Sequence, residues 1–247
     1  MNPDLDEAIP AIAVGDLYPA VLEFFRDAPP GRILDAPAGH GAFALELLRR
    51  GYSDIDCLDI NADAFRLKDE RVRFRRHDVI ERLPFPDAHF DYVFSIEGIE
   101  HFHNPWTFTL ELCRVLKPGG RLYLSTPNTF SVDARLKYLV SGYFPRFRPL
   151  MQEPDKVMVQ DVDDAHISPI YFWQLHYFLM QGGVSIGRVG TNALFHKPQW
   201  VKRVFENWIA GMIRRNIRKR GFPDRGVTSD AVLFGDCVII EGVKKNA

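Results

Sequence analysis

Short apolar runs alternate with longer amphipathic stretches along most of the chain, a pattern that predicts strands separated by helices. Seven runs are predicted to be strands: 32–35, 55–60, 72–75, 92–96, 121–125, 184–189 and 231–240. Five stretches are predicted to be helices: 18–27, 42–50, 104–116, 168–182 and 199–220. Strands joined by helices favour a parallel sheet that is covered on both faces. We therefore predict an α/β fold with a doubly wound, mostly parallel sheet of seven strands.

Residues with strong preferences for helix ends set several of these boundaries. Asn104 and Pro105 provide an N-cap and a first helical residue, and Ser168 and Pro169 repeat the pair before a later helix. The run Pro118-Gly119-Gly120 does not favour a helix, so it separates the third predicted helix from the fifth strand.

The pattern breaks down between residues 129 and 165, where prolines and mixed aromatic and charged residues replace it. Long irregular connections inside compact domains usually carry function. We interpret residues 129–167 as a lid inserted into a single domain, residues 1–247. Residues 29–128 then form the first half of the sheet, and residues 168–247 complete it.

The composition is that of a folded protein without a strong global charge. Of 247 residues, 46% are hydrophobic and 26% are charged, and the formal net charge is −1. This balance argues against nucleic acid as a partner. The three cysteines are scattered, the N-terminus is acidic, and no apolar run approaches the ~20 residues that span a bilayer. We therefore expect a cytoplasmic protein.

The loop after the first strand is the first candidate for ligand binding. In open α/β sheets, ligands bind beyond the carboxyl ends of the strands, near the point where the strand order reverses. The first strand ends at Asp35 and leads through Ala36 and Pro37 to Gly39 and Gly41. Glycines let the backbone turn tightly beside a ligand. The helix that follows offers free N–H groups to an anionic group.

Acidic residues follow the next two strands. Asp59 ends the second strand, where a carboxylate can accept both hydroxyls of a ribose. Asp78 follows the third strand and can accept from an adenine amino group, with residues 83–85 as apolar contacts for the ring. Together with the glycine loop, these positions indicate a nucleoside site.

The chain between residues 31 and 128 carries further short motifs in a fixed order. They are Ile33-Leu34-Asp35 through Gly41, Leu58-Asp59, Leu83-Pro84-Phe85 with Phe90-Asp91, Glu100-His101, Arg114 through Gly120, and Ser125-Thr126-Pro127-Asn128. Taken together, they resemble the class I S-adenosylmethionine-dependent methyltransferases, whose fold is Rossmann-like. The resemblance implies that residues 29–128 bind S-adenosylmethionine and that the chain is a methyltransferase.

The resemblance also implies roles for individual residues. Asp35, Gly39 and Gly41 would hold the methionine portion of the cofactor, Asp59 the ribose and Asp78 the adenine. The whole predicted cofactor site comprises ten residues: Asp35, Ala36, Pro37, Gly39, Gly41, Asp59, Ile60, Asp78, Val79 and Ser95.

Two features of this loop complicate the comparison. Pro37 stands where the family usually has its first glycine, and proline fixes φ at about −65°, so the turn is expected to differ slightly. A nicotinamide dehydrogenase is the nearest rival, since Ala44 is tolerated at the third position of its glycine fingerprint. That reading does not account for the motifs after residue 113.

Candidate catalytic groups follow the fourth strand. On a helical turn, Glu97, Glu100 and His101 would share one face, and His166 at the end of the lid could complete a set. The spacing resembles ubiquinone-biosynthesis O-methyltransferases and small-RNA 2′-O-methyltransferases, in which such a segment and a distant histidine bind a divalent ion. We therefore predict a site for Mg²⁺ or Mn²⁺ on these four residues. Without a metal, His101 or His166 would be the catalytic base.

The sequence indicates the acceptor of the methyl group less closely than it indicates the cofactor. The lid carries aromatic and basic residues that can stack on a ring and bind a phosphate: Arg135, Lys137, Tyr138, Tyr143, Phe144, Arg146, Phe147 and Arg148. The alternative is that these residues pack the lid against the sheet. We expect a hydroxyl of a small molecule, a lipid intermediate or a glycan as the acceptor. The alternatives are a non-catalytic partner subunit that binds S-adenosylmethionine, and an RNA methyltransferase.

The predicted helix 199–220 is strongly amphipathic and basic. Its apolar residues are expected on one face: Val201, Val204, Phe205, Trp208, Ile209, Met212 and Ile213. Such a helix can cover the sheet, lie on an anionic membrane or pair with a second subunit. Membrane association and dimerisation therefore both remain open at this point.

Overall fold

The computed structural model describes residues 9–147, 158–159, 162–163, 165–194, 200–224 and 226–246. Within these residues, seven strands form one sheet and two short strands form a separate hairpin. The strands are β1 (Ile33–Asp35), β2 (Ile55–Asp59), β3 (Val72–Arg76), β4 (Phe90–Ile96), β5 (Leu116–Pro127), β6 (Met158–Val159), β7 (Val162–Asp163), β8 (Val184–Gly190) and β9 (Cys237–Lys244).

The strand order in the large sheet is β3-β2-β1-β4-β5-β9-β8. The five strands from β3 to β5 are mutually parallel, whereas β9 runs antiparallel to both β5 and β8. The predicted fold class, a mostly parallel, doubly wound sheet of seven strands, is confirmed. Because the order reverses between β1 and β4, the carboxyl ends of these two strands border the crevice where ligands bind in such folds.

Seven helices connect or cover the strands in the described part of the chain. They are α1 (Leu17–Phe24), α2 (Ala42–Arg49), α3 (Pro105–Val115), α4 (Val132–Ser141), α5 (Phe172–Gln181), α6 (Trp200–Lys219) and α7 (Asp230–Phe234). The predicted cap of α3 is confirmed, because the Asn104 side chain accepts a hydrogen bond from the backbone N–H of Thr107.

Several predicted elements differ from the structure, and β5 begins at Leu116 rather than at residue 121, so that Pro118-Gly119-Gly120 lies within it. Residues 231–234 form the helix α7 rather than the start of the last strand, because the Ser229 side chain caps them by accepting from the backbone N–H of Val232. A short apolar run does not distinguish a strand from a buried helix. Ser168 does not cap α5, which begins at Phe172; its hydroxyl donates instead to the carbonyl of Phe102.

The predicted irregular lid begins with a regular element. Residues 132–141 form α4, and Ser131 caps it by accepting from the backbone N–H of Ala134. The helix ends at Gly142, whose positive φ of 78° suits a left-handed C-cap. Most of the lid beyond residue 147, including Arg148, lies outside the described residues.

The two faces of the sheet carry separate apolar clusters. Ile33 belongs to one cluster and Leu34 to the other, as expected for successive residues of a strand. Arg114 fastens the edge of one cluster by donating to the carbonyls of Leu83 and Phe85. Leu83 and Phe85 are themselves buried in this cluster, and their contact with an adenine ring stays a prediction.

Candidate active site

The glycine loop after β1 has the predicted sharp turn. Gly39 and Gly41 both have positive φ angles, 53° and 85°, which favour glycine. A Cβ on Gly41 would lie 2.8 Å from a ring carbon of Phe65, so the position also lacks room for a side chain. Gly41 is the N-cap of α2, and the loop therefore presents the first turn of that helix to the crevice.

Asp59 joins the end of β2 to this loop. One carboxylate oxygen accepts from the backbone N–H of Gly39 at 2.8 Å, and the other accepts from the backbone N–H of Asn61 at 2.9 Å. The side chain is only 9% exposed. Each oxygen keeps a second lone pair, so the carboxylate can hold the loop and still accept from a ligand. Two regions that the sequence placed in one site are thus in direct contact.

Asp35 is a buried carboxyl at the end of β1. It is 2% exposed, and its Oδ2 has no hydrogen-bond partner. Burial, with a smaller contribution from the charge of Asp59, raises the pKa of Asp35 well above its usual range. A buried polar atom without a partner is costly for a protein. An Asp in this state is suited to receive a cationic group from a ligand.

Like Oδ2 of Asp35, the hydroxyl oxygen of Ser95 lacks a hydrogen-bond partner. Ser95 is buried and lies on β4, which pairs with β1 through Asp35 and Phe94. At the neighbouring strand end, Ile60 is 58% exposed although it is apolar. These positions are consistent with a site for an amphipathic ligand.

The remaining predicted cofactor residues have structural contacts of their own. The Asp78 carboxylate accepts from the backbone N–H of Ile80 at 3.1 Å, and Val79 is buried in the core. The backbone N–H of Ala36 donates to the carbonyl of Phe94. Asp78 can still present its other oxygen to a ligand, whereas Val79 offers only its backbone.

Pro37, the departure from the family pattern, packs against the segment that follows β4. The peptide bond between Ala36 and Pro37 is cis. A Cβ on Gly98 would lie 2.4 Å from the Pro37 ring, so only glycine fits opposite this proline. The loop therefore differs locally from a glycine-rich turn while Gly39 and Gly41 keep their conformations.

The N-terminal segment borders the crevice, which the sequence pattern did not indicate. Ile12 contacts the loop at Gly39, and the backbone N–H of Val14 donates to a carboxylate oxygen of Glu97 at 3.3 Å. Tyr18, at the start of α1, lies near Asp35 and Glu97. Burial, followed by the charges of these two carboxylates, raises the pKa of Tyr18. No local motif marks these residues, because their role depends on contacts across the chain.

Glu97 does not join the predicted four-residue cluster. The segment after β4 is not a full helical turn: Glu97 has a positive φ of 48°, and only residues Ile99–His101 form a 3₁₀ turn. The predicted alignment of Glu97 with Glu100 and His101 on one helical face is therefore wrong.

Glu97 instead belongs to an ion-pair network with the lid. Arg146 donates to a Glu97 carboxylate oxygen at 3.1 Å and to the Asp236 carboxylate. The thiol of Cys237 also donates to Glu97, at 3.1 Å. Both carboxylates are largely buried, so Arg146 compensates two charges that would otherwise be costly. This arginine fastens the lid to β9 and to the end of β4.

Three of the four predicted metal ligands do lie together. Glu100, His101 and His166 each offer a ligand atom, and these atoms lie within 4.8 Å of one another. Glu100 is fully buried, its Oε2 accepts from the Thr126 hydroxyl, and its Oε1 has no partner. Burial and then the nearby charge of Glu97 raise the pKa of Glu100.

The two imidazoles approach each other edge to face, with their ring centroids 4.7 Å apart. His101 donates from Nδ1 to the carbonyl of Ala165 at 3.2 Å, so when neutral it carries its basic lone pair on Nε2. The backbone N–H groups of Ile167 and Ser168 both donate to the carbonyl of Glu100. These bonds hold the lid segment with His166 against the 3₁₀ turn.

Comparison with known proteins finds a methyltransferase domain in the chain. A family model described as a methyltransferase domain matches residues 34–124. The chain is 34% identical to 27-O-demethylrifamycin SV methyltransferase of Amycolatopsis mediterranei over 69% of its own length and 60% of the relative's. It is 28% identical to the ubiquinone/menaquinone biosynthesis C-methyltransferase UbiE of Geobacter sp., over 65% of its length and 78% of the relative's.

Solved structures agree at the level of the fold. An S-adenosylmethionine-dependent methyltransferase from Mesorhizobium loti superposes with a TM-score of 0.57 at 15% identity, over 93% of this chain and 98% of that one. The strand order, the glycine loop joined to Asp59, and the match over residues 34–124 coincide in one region of the chain. The chain therefore contains a methyltransferase domain at residues 34–124 and is similar to S-adenosylmethionine-dependent methyltransferases.

Proposed function

We propose that the chain transfers the methyl group of S-adenosylmethionine to a hydroxyl of its acceptor. The observation that carries this proposal is the crevice between β1 and β4, where the unpartnered Asp35 carboxyl adjoins a glycine loop held by Asp59. The cluster of Glu100, His101 and His166 supplies the polar groups that a hydroxyl acceptor requires.

The residues present fit the cofactor. S-adenosylmethionine carries a cationic amino group, a sulfonium and a ribose diol. The buried Oδ2 of Asp35 lacks a partner and suits the amino group, and Asp59 has lone pairs for the two ribose hydroxyls. The first turn of α2 suits the carboxylate of the methionine portion. Asp78 remains the candidate acceptor for the adenine amino group.

The cluster also fits a divalent metal ion. One carboxylate and two imidazoles form a ligand set that suits Mn²⁺ better than Mg²⁺, which prefers oxygen ligands. Glu100, His101 and His166 would hold the ion, and Glu97 would not, because it pairs with Arg146. When bound, the ion would bind the acceptor hydroxyl and lower its pKa.

The chain's own residues then have defined tasks. The acceptor oxygen forms a bond to the methyl carbon, the carbon–sulfur bond breaks, and its electron pair stays on sulfur as a neutral thioether. When no metal ion occupies the cluster, the hydroxyl proton passes to Nε2 of His101, whose Nδ1 already donates to the Ala165 carbonyl. Arg146 and the N-terminal segment both bind Glu97 at the edge of the crevice.

The substrate class is proposed from the polar cluster and from the relatives. Among the relatives, the rifamycin enzyme is named for a 27-O-demethyl substrate and UbiE is named a C-methyltransferase, so the names favour neither atom alone. The histidine and glutamate cluster supports oxygen. We propose a small molecule, a lipid intermediate or a glycan as the acceptor.

A methyl-transfer assay tests this proposal. Protein is incubated with S-adenosylmethionine labelled in the methyl group, an extract of hydroxyl-bearing metabolites and lipids, and either Mn²⁺, Mg²⁺ or EDTA. We expect label in a methyl ether, with the highest rate in Mn²⁺. Tight cofactor binding without turnover would support the non-catalytic subunit, and label in added RNA would support the RNA methyltransferase. Activity that EDTA does not change would remove the metal from the mechanism.

Asp35 gives a prediction in which stability and binding change in opposite directions. Because the native pKa of Asp35 is raised, the native state holds this proton at a pH where the unfolded state, with a pKa of about 3.9, has lost it. The free energy of unfolding therefore falls as the pH rises above about 4. Asp35→Asn should remove this loss and raise the free energy of unfolding at pH 7, while weakening cofactor binding.

Urea unfolding between pH 4 and 8, with calorimetry of cofactor binding, measures both effects. Asp91→Asn is the matched control: the Asp91 carboxylate accepts from Lys117 and from the backbone of Arg32, so this variant should lose stability and keep its affinity. An Asp35→Asn variant that is less stable than the wild type, or one that binds the cofactor equally well, would contradict the assignment.

A further inference from the structure

The helix α6 has an inward face that packs on the rest of the protein. Ala210 is fully buried and Ile217 is 8% exposed, and the partly buried Ile209 and Ile213 lie beside them. This face contacts α4 through Val132 and belongs to the apolar core. Ile209 and Ile213 therefore do not share a face with Trp208 and Met212, contrary to the expectation from the sequence.

The outward face of α6 is also apolar along its first three turns. Trp200, Val204, Trp208 and Met212 recur every four residues and are 75%, 60%, 58% and 45% exposed. Phe205 beside them is 49% exposed. A helix on the surface of a globular protein normally turns polar residues outward. A second apolar face on α6 therefore needs its own explanation.

The adjacent end of α4 extends this surface. Leu136 packs against the α6 cluster, and Leu139 and Val140, one turn further along the same face, are 80% and 88% exposed. Tyr138 and Tyr143 are 48% and 40% exposed. We call the exposed apolar residues of the two helices, with Tyr143 just beyond α4, the α4–α6 surface: Tyr138, Leu139, Val140, Tyr143, Trp200, Val204, Phe205, Trp208 and Met212.

The charge next to this surface is of one sign. Arg215 and Lys219 continue the outward stripe of α6 beyond Met212, at intervals of three and four residues, and both are exposed. Other exposed basic residues lie on α6 and just after it: Arg203, Arg218 and Arg220. The only acidic residue between positions 200 and 219 is Glu206, which is 6% exposed. The chain as a whole has a net charge of −1, so this positive charge is local.

We propose that the α4–α6 surface binds an anionic lipid bilayer at its interface. Exposed tryptophans and tyrosines with leucine and valine suit the boundary between headgroups and acyl chains, and flanking arginines and lysines suit anionic headgroups. No helix in the described ranges is long and apolar enough to cross a membrane, so the association is peripheral. A second protein copy would not require this excess of positive charge.

Sedimentation with lipid vesicles tests the proposal. The full chain is mixed with vesicles of phosphatidylglycerol and phosphatidylcholine, or of phosphatidylcholine alone. We expect binding to the anionic vesicles that weakens at high salt. Arg215→Glu with Lys219→Glu should reduce the apparent affinity at least about tenfold. Met212→Ser should reduce it severalfold, whereas Met180→Ser on α5, at a matched exposure of 46%, should not.

Lys68→Glu controls for net charge, because this exposed residue lies in the β2–β3 connection, at the far end of the strand order from β8. It should leave vesicle binding unchanged. Equal loss in the Lys68 and Arg215/Lys219 variants would overturn the proposal, as would the absence of binding to anionic vesicles. A dimer in vesicle-free solution that Met212→Ser dissociates would also overturn it and assign the surface to a second copy.

Discussion

Asp59→Ala is expected to abolish measurable binding of S-adenosylmethionine, with a loss of affinity of at least about 100-fold. The carboxylate serves two purposes in this account: it holds the loop through the backbone N–H of Gly39, and it would accept from both ribose hydroxyls. Hydrogen bonds to a charged group contribute about 1.5–3 kcal/mol each, so the loss of two corresponds to at least two orders of magnitude. Isothermal titration calorimetry with the cofactor measures the effect.

Two further variants separate binding from folding. Asp63→Ala removes an exposed carboxylate four residues along the same connection and should leave affinity unchanged. Asp59→Asn keeps one oxygen to accept from Gly39 and should fold as the wild type does, with an intermediate affinity. Wild-type affinity in a correctly folded Asp59→Ala protein would refute the ribose assignment.

Glu100→Gln is expected to lower kcat by about 10²–10⁴-fold while leaving cofactor affinity unchanged. The substitution preserves shape, and the amide oxygen can still accept from the Thr126 hydroxyl. It removes the carboxyl group beside His101 and His166, which the acceptor proton or a metal ion would require. Single-turnover kinetics with labelled cofactor, combined with calorimetry, distinguish a loss of chemistry from a loss of binding.

Glu46→Gln is the matched control. Glu46 forms a partly exposed ion pair with Arg49 on α2, so this variant should leave kcat unchanged. Metal content provides a second readout, because a Glu100→Gln protein should retain less Mn²⁺ after dialysis if the three residues bind the ion. A Glu100→Gln enzyme with wild-type kcat would exclude this cluster from the reaction.

The fold could be predicted because its signals are local and consistent. The apolar runs, the Asn104 cap and the glycines after β1 each favour the observed element on short-range grounds. Where a signal was ambiguous, the prediction failed: the apolar residues 231–234 suit a strand as well as a helix, and the Ser229 cap decides for the helix. Ser168 offered a cap but is held instead by the carbonyl of Phe102.

The site could be predicted only in part, because half of it depends on long-range contacts. Asp35, Gly39 and Asp59 follow strands whose ends must meet in this fold, and they do meet. The pairing of Glu97 with Arg146 spans 49 positions and leaves no pattern in the sequence. Because of this ion pair, Glu97 does not lie with the other three predicted metal ligands. Tyr18 was missed because its role also depends on contacts across the chain.

The central claim is that the crevice between β1 and β4 is a cofactor site. A crystal structure of the protein with S-adenosylhomocysteine tests it most directly. We predict both ribose hydroxyls at hydrogen-bonding distance from the Asp59 carboxylate and the amino group of the homocysteine portion beside Asp35. A crevice occupied by side chains of the N-terminal segment at saturating ligand, or a nucleoside bound elsewhere, would contradict the account.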